Sequence, residues 1–228
     1  LQPFAHQDEA VFTHMLPQPR LRYLLADEPG TGKTIMTGMY LAEGTRRGLL
    51  PGRGVIVVPA HLVEKWRRDL LRYFGIDARR LTPEIARDPA ELDPRYQVWV
   101  VSVDLFTHIP DVRRRVAGPK ASWSLAVFDE AHRLTPTSQY LAAARELASR
   151  SHHLLLLTAT PHRGKEHFFR ALLNLLDPQL YQWDRRITDY EHPLRPSTLS
   201  FLRRMKEDLR GLDGRPLFRQ RFAETVSV

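Results

Sequence analysis

Residues 23–34 contain the side chains and the spacing that binding of a triphosphate requires. A glycine-bearing turn can direct backbone N–H groups at phosphate oxygens, because glycine adopts conformations that a Cβ atom disfavours. Lys33 supplies a cation for the β- and γ-phosphates, and the hydroxyl of Thr34 supplies a ligand for Mg²⁺. We therefore predict a site for ATP and Mg²⁺, in which Lys33 is also catalytic. The predicted nucleotide-binding residues here are Asp27, Glu28, Pro29, Gly30, Thr31, Gly32, Lys33 and Thr34.

Two adjacent acids, Asp129 and Glu130, follow the apolar run 125–128. An acid at the tip of a buried strand in a phosphate-loop protein is placed to hold the shell of Mg²⁺, directly or through water. We predict that role for Asp129, and we predict that Glu130 orients and deprotonates the attacking water. This second motif indicates that both acids are catalytic and that the chain hydrolyses ATP.

Apolar runs of strand length alternate with helical patterns along the chain. The pattern predicts strands at 23–26, 55–58, 79–81, 97–103, 125–128 and 153–157, and helices at 1–16, 34–47, 61–74, 104–116 (broken at Pro110), 138–149 and 167–176. Such alternation is typical of an α/β fold with a doubly wound, mostly parallel sheet, whose ligands bind at the carboxyl ends of the strands. The glycine-bearing turn and the pair of acids each follow directly after a predicted strand.

The character of the sequence changes near residue 181, where long aliphatic runs end. We predict an ATP-binding lobe over residues 1–180 and a basic C-terminal extension over 181–228, with a short helix at 199–209 and a strand-like end at 218–228. The formal net charge of the chain is +8, and 29 of its 34 basic residues are arginine. Arginine pairs well with phosphates, but an arginine bias of the genome explains the composition equally well.

The composition also limits the compartment. The chain has no cysteine, so disulfides and thiolate metal sites are excluded, and no run reaches the ~18 apolar residues of a membrane span. Because no signal-peptide pattern opens the sequence, we expect a cytoplasmic location and no membrane partner.

The order of the motifs resembles the first RecA-like lobe of superfamily-2 helicases and translocases, and more narrowly the Swi/Snf-type group in its bacterial form. In that group an aspartate at the position of Asp27 is usual, although the strict phosphate-loop pattern has glycine there. The resembling segments are 6–11 (Q motif), 25–34 (motif I), 57–66 (Ia), 101–104 (Ib), 129–132 (II, the DEAH sequence), 157–161 (III) and 201–209, which is similar to the segment preceding a second lobe.

The resemblance implies further roles. Gln7 would bind adenine, because a carboxamide can donate to N7 and accept from N6 together. His132 would relay between the nucleotide and nucleic-acid sites, with the hydroxyls of Thr158 and Thr160 sensing the acids. The residues implied to contact DNA, in motifs Ia and Ib, are Pro59, Ala60, His61, Ser102 and Val103.

The resemblance also implies partners. These 228 residues contain none of motifs IV to VI. We therefore expect a second RecA-like lobe that supplies an arginine, DNA (double-stranded in this group) as the track, and partner subunits of a bacterial complex. The lobe alone is expected to bind ATP and to hydrolyse it feebly.

Other functions fit the same motifs. A strand-separating DEAH-type helicase and the motor subunit of a restriction enzyme share motifs I to III. A nucleotide-dependent interaction module without catalysis is a third reading, although Lys33, Thr34, Asp129 and Glu130 are all present. A small-molecule kinase would have no reason to carry Ala131-His132 or the Thr158-Ala159-Thr160 strand tip.

Overall fold

A seven-stranded parallel sheet forms the centre of the protein in the computed structural model, which describes residues 2–88, 97–160, 166–181, 200–211 and 215–218. The spatial order of the strands is β3-β4-β2-β5-β6-β1-β7. Their bounds are β1 Arg22–Leu25, β2 Gly54–Val58, β3 Arg79–Arg80, β4 Val98–Ser102, β5 Trp123–Phe128, β6 Ser151–Leu157 and β7 Phe201–Leu202.

Helices cover both faces of this sheet. Their bounds are α1 Ala5–Asp8, which continues as a π-helical segment Glu9–Met15, then α2 Lys33–Arg46, α3 Val63–Phe74, α4 Pro83–Arg87, α5 Val103–His108, α6 Pro110–Ala117, α7 Gln139–Ser149 and α8 Glu166–Leu176. Short 3₁₀ turns lie at Ala60–Leu62, Ala131–Arg133 and Lys206–Asp208. None of the helices within the described ranges is long and apolar enough to cross a membrane.

The alternation of side chains along each strand explains the two cores. In β2 every residue is buried, as expected for a parallel strand covered on both faces. Val55 and Val57 pack in the core under α5 to α8, whereas Ile56 and Val58 pack in the core under α1, α2 and α3. The predicted doubly wound α/β fold is therefore confirmed.

The helix predicted over 199–209 is wrong. Residues 201–202 form β7, which pairs with β1 in parallel: the N–H groups of Leu24 and Ala26 donate to Ser200 O and Leu202 O at 2.9 and 2.7 Å. The segment forms a strand because it can pair with the hydrogen-bonding edge of β1. Within 199–209, the helical structure that is described is the 3₁₀ turn Lys206–Asp208. The division at residue 180 stays a prediction, and residues 219–228 of the predicted strand-like end lie outside the described residues.

Candidate active site

The predicted phosphate loop connects β1 to α2 through two glycines with left-handed backbone conformations. Gly30 has φ of 81° and Gly32 has φ of 92°, values that favour glycine. A Cβ atom at Gly32 would also overlap the side-chain amide of Gln7. The turn is tightened by the Thr31 hydroxyl, which donates to Glu28 O at 2.8 Å. Backbone shape and the approach of a neighbouring side chain therefore both require glycine at position 32.

Lys33 begins α2, and its ammonium lies over the loop that precedes it. Its Nζ donates to Asp27 O at 2.6 Å and to Glu28 O at 3.1 Å. Burial lowers the pKa of Lys33, while the carboxylates of Asp27, Asp129 and Glu130 act in the opposite direction. Thr34 follows in the first turn, where the helix has backbone N–H groups without intrahelical acceptors. The start of α2 thus combines a cation, free N–H groups and a hydroxyl.

Gln7 and His6 connect the N-terminal helix to this loop. The amide Nε2 of Gln7 donates to Thr31 O at 2.9 Å, and its Oε1 accepts from Phe4 N at 3.1 Å. His6 Nε2 also lies 2.9 Å from Thr31 O. A carboxamide has two donors and two lone pairs on its oxygen, so one N–H and one lone pair of Gln7 remain. Adenine recognition by Gln7 stays a prediction.

Asp129 lies just after β5, close to the phosphate loop. Its Oδ2 accepts a hydrogen bond from Trp66 Nε1 at 2.8 Å, and its Oδ1 accepts from Glu130 N at 2.8 Å. Burial raises the pKa of Asp129, and the hydrogen bond from Trp66 partly offsets that rise. A buried carboxylate whose ionised form is disfavoured by desolvation is suited to a nearby cation.

Glu130 and His132 extend this arrangement to the tip of β6. Glu130 has φ of 49°, which makes it the non-glycine residue with positive φ among those described. His132 Nδ1 lies 3.1 Å from Glu130 Oε2 and 3.2 Å from Thr158 Oγ1. The hydrogen bond with His132 lowers the pKa of Glu130. Thr158 Oγ1 in turn accepts from the backbone N–H of Thr160 at 3.2 Å, so hydrogen bonds link the four residues. The predicted coupling role of His132, Thr158 and Thr160 stays a prediction. Pro161 of motif III lies outside the described residues.

These elements enclose one cleft of about 840 Å³ at the carboxyl edge of the sheet. A volume of this size lies within the range of small-molecule sites. Its lining residues from the predicted set are Pro29, Gly30, Gly32, Lys33, Thr34, Asp129 and Glu130. The cleft therefore unites the predicted phosphate loop with the two predicted catalytic acids, which are about 100 residues away in the chain.

Asp27 has a different position from the rest of the loop. Its side chain is fully buried and forms a two-pronged ion pair with Arg204, whose Nη2 lies 2.5 Å from Asp27 Oδ2 and whose Nε lies 3.2 Å from the same oxygen. The same guanidinium donates to His6 O. A direct contact of the Asp27 carboxylate with nucleotide has no support in this geometry. The structure instead makes this aspartate the partner of a distant arginine.

Trp66 and Arg204 were not among the predicted site residues. Trp66 lies in the segment that resembles motif Ia, and Arg204 lies in the segment that resembles the one preceding a second lobe. The resemblance therefore pointed to both segments, but not to these two residues. Their partners are 63 and 177 residues away. The spacing of residues within a motif gives no information on such pairs.

The predicted DNA contacts lie along the same edge of the sheet but differ in exposure. Ala60 and His61 are exposed at the start of the turn after β2, whereas Pro59 is buried. Ser102 and Val103 are also buried, and the Ser102 hydroxyl accepts from Leu105 N at 3.3 Å as the cap of α5. Contact with DNA stays a prediction for all five residues.

The fold and the site together define a RecA-like lobe of the superfamily-2 type. The chain belongs to the SNF2-related domain family, whose model matches residues 6–215.

Solved structures show the same architecture. The chain is similar to the Sulfolobus solfataricus SWI2/SNF2 ATPase core in complex with dsDNA, with a TM-score of 0.71 and 19% identity over 91% of this chain and 45% of that one. It is similar to the Pyrococcus furiosus Hef helicase domain, with a TM-score of 0.61 and 20% identity over 90% of this chain and 38% of that one. It thus spans less than half of the length of either protein, and at such identities the likeness shows the fold.

Proposed function

We propose that this chain is the ATP-binding motor lobe of a Snf2-type, DNA-dependent ATPase that moves along duplex DNA together with a second RecA-like lobe. The observation that carries the proposal is the shared cleft, in which Lys33 and Thr34 at the start of α2 face Asp129 and Glu130 after β5. A phosphate loop alone would support nucleotide binding. A phosphate loop opposite two acids supports hydrolysis.

The residues of the cleft fit ATP and Mg²⁺. The N–H groups at the start of α2 and the Lys33 ammonium would hold the phosphates, and Thr34 and Asp129 would hold the metal shell. When bound, Mg²⁺ neutralises charge on the phosphate oxygens. Trp66 fixes one oxygen of Asp129, so the carboxylate is oriented before any ligand binds. The raised pKa of Asp129 also fits a group that gains its full charge beside a cation.

Glu130 is the proposed general base. His132 holds one of its carboxylate oxygens at 3.1 Å and so orients the group, and the lowered pKa favours the ionised form, which is the form that a general base requires. Through Thr158 the same histidine contacts the tip of β6, so a displacement of that strand tip would move the base. This contact supports the proposed coupling of His132, Thr158 and Thr160.

The proposed second lobe completes the reaction. An arginine delivered to the transferred phosphate is typically worth about 10³–10⁵ in rate. We therefore expect the 228-residue chain to bind ATP and to turn it over slowly. A double-stranded DNA partner is supported by the similar Sulfolobus core, whose structure is a complex with dsDNA, and by the exposed positions of Ala60 and His61 after β2.

The first experiment is a titration of this chain with a fluorescent ATP analogue, with and without Mg²⁺, followed by hydrolysis assays with and without duplex DNA. We expect Mg²⁺-dependent binding and negligible turnover. Robust DNA-stimulated turnover would show that copies of the chain complete one another's sites. A lack of nucleotide binding would contradict the proposal outright.

The role of Glu130 requires the two-lobed protein. In that protein Glu130→Gln is expected to retain ATP binding and to lose about 10²–10⁴ in hydrolysis rate, because the amide cannot accept a proton from water. Glu64→Gln, a change of the same kind at an exposed position on α3, is the control. Unchanged turnover in the Glu130 variant would show that another group is the base.

A strand-separating helicase lobe is the second candidate, and the similarity to the Hef helicase domain favours it. The two candidates differ in what the two-lobed protein does to DNA. A translocase displaces a third strand from a triplex without unpairing the duplex, whereas a helicase releases one strand of the duplex itself.

A further inference from the structure

Lys206 brings a second ammonium group to the phosphate loop. A Cβ atom at Gly30 would lie 3.2 Å from Lys206 Nζ and 3.7 Å from its Cε. The end of the lysine side chain therefore packs directly on a glycine of the loop, one that also lines the cleft. The two residues are 176 positions apart in the chain, so this approach is made by the fold.

The backbone of Lys206 is held at this position by two anchors. Its own N–H donates to Glu28 Oε2 at 2.7 Å. Two residues earlier, Arg204 N donates to Asp27 Oδ1 at 2.9 Å, and the Arg204 side chain pairs with the same carboxylate. Both acceptors belong to the phosphate loop, so the segment 204–206 is fixed to the loop itself. The lysine side chain is half-buried, which limits the directions available to its ammonium.

No salt bridge among the described residues neutralises the ammonium of Lys206. Among the described residues no carboxylate forms a salt bridge with Lys206 Nζ, whose described partner is the ring of Phe218 at 5.0 Å. Lys33 Nζ donates to Glu28 O, and the N–H of Lys206 donates to Glu28 Oε2, so the fold brings the two lysines to the same residue of the loop. Two cations held close together repel, and an anion that contacts both removes this repulsion.

We propose that Lys206 is a phosphate-binding residue, which contacts the polyphosphate of the nucleotide together with Lys33. This inference rests on the proposed function, because it assigns a further residue to the same ATP site. The segment 204–206 then has a double role: Arg204 is a positioning residue that neutralises Asp27, and Lys206 contacts the ligand. Nucleotide binding would thereby also hold the chain segment that leads away from β7.

The test compares Lys206→Met, Lys206→Arg and Lys120→Met in the whole chain. Lys120 is an exposed lysine on the far side of the sheet and lines a separate cavity, so its variant controls for the loss of one positive charge. A fluorescent ATP analogue with Mg²⁺ is titrated first, and ATP and adenosine then compete for the site. Thermal unfolding is measured for each variant.

We expect Lys206→Met to weaken ATP binding by about tenfold, as loss of a charged hydrogen bond does, with adenosine affinity and unfolding temperature unchanged. Lys206→Arg should restore most of the affinity, and Lys120→Met should match the wild type. The inference is overturned if the affinity of Lys206→Met for ATP is within twofold of that of the wild type. It is also overturned if the affinity for adenosine falls by the same factor as the affinity for ATP. Absence of binding by the wild type would instead refute the proposed function, and this inference with it.

Discussion

The two ends of the central sheet bury polar groups in different ways. At the carboxyl end two buried carboxylates join separate motifs, in the pairs Asp27–Arg204 and Asp129–Trp66. At the amino end the buried groups are neutral or contact backbone carbonyls. There His153 Nδ1 accepts from Leu21 N at 2.9 Å, and its Nε2 lies 3.1 Å from Leu49 O.

This difference distinguishes residues that stabilise the fold from residues that can bind a ligand. A neutral group whose partners are backbone atoms holds the surrounding helices and strands in place, and its hydrogen-bonding capacity is already used. At the carboxyl end, Asp129 is held on one side by Trp66 and keeps lone pairs on the side of the cleft that it lines. Variants at the amino end should therefore change folding alone, whereas variants at the carboxyl end should change nucleotide binding, with one exception that tests the comparison most severely.

That exception is Arg204, because its variant should affect folding as strongly as any residue of the amino end. Arg204→Met leaves the carboxylate of Asp27 buried without its cation, and such a loss typically costs about 3–5 kcal/mol of unfolding free energy. Arg22→Met at the amino end removes hydrogen bonds to Ala148 O and Ser151 O, and roughly 1.5–3 kcal/mol is expected. Denaturant unfolding measures both.

The neighbouring Arg203 provides the matched control for this prediction, since it is exposed. Arg203→Met should stay within about 0.5 kcal/mol of the wild type. In a double-mutant cycle, adding Asp27→Asn to Arg204→Met should recover part of the loss, because the uncompensated charge is then gone. An Arg204 variant as stable as the Arg203 variant would show that the ion pair contributes nothing to folding.

Lys33→Ala should affect ligand binding and leave folding intact. The ammonium is the cation nearest the loop carbonyls of Asp27 and Glu28, and its removal should weaken ATP binding by at least about 100-fold, or about 2.7 kcal/mol. Lys65→Ala removes an exposed lysine that lines the same cleft and pairs with Asp69, so less than about threefold is expected there. Retained affinity in Lys33→Ala would refute the placement of the phosphate loop.

The buried His153, at the amino end of the sheet, should make the free energy of unfolding depend on pH. Burial lowers its pKa from 6.5 to about 4, so the folded state binds fewer protons than the unfolded state between these values. Its contribution is therefore complete above about pH 6.5 and is lost as the pH falls toward 4, and the loss between pH 7 and pH 4.5 is on the order of 2 kcal/mol. Denaturant unfolding at pH 7 and pH 4.5 measures this loss.

A His153→Gln variant tests the assignment, because glutamine does not titrate. The variant should be less stable at pH 7, since it cannot reproduce all the contacts with Leu21, Tyr40 and Leu49. Its stability should fall less steeply than that of the wild type between the two pH values. An equal slope in both proteins would assign the acid sensitivity to other groups.

The sequence was a reliable guide wherever the information is local. The glycines, Lys33 and the acids after β5 are recognisable because backbone conformation and ligand chemistry restrict the residue types at neighbouring positions. The positions of most strands and helices followed from apolar periodicity for the same reason. The helix predicted over 199–209 failed because pairing with the edge of β1 outweighs a weak local pattern.

The pairs across the chain could not be predicted. Asp27 is unusual for a strict phosphate loop, and only the fold shows that its carboxylate neutralises Arg204. In the sequence, Trp66 looks like any apolar residue of α3. The helical pattern shows that its ring is buried but does not show that its N–H donates to Asp129. Tertiary hydrogen bonds depend on orientation, which periodicity does not encode.

The smallest expected effect compares two tryptophans, one at each end of the sheet. Trp66 Nε1 donates to the charged Asp129, whereas Trp123 Nε1 donates to the neutral Val116 O at 2.7 Å. Trp66→Phe keeps a ring in the core but frees one oxygen of Asp129, so the Mg²⁺ concentration for half-maximal ATP binding should rise roughly tenfold. Trp123→Phe should lower the unfolding free energy by about 1 kcal/mol without changing the Mg²⁺ requirement. Equal Mg²⁺ requirements in the two variants would show that Trp66 does not orient Asp129, and the contrast between the two ends would then rest on the ion pair and the lysines alone.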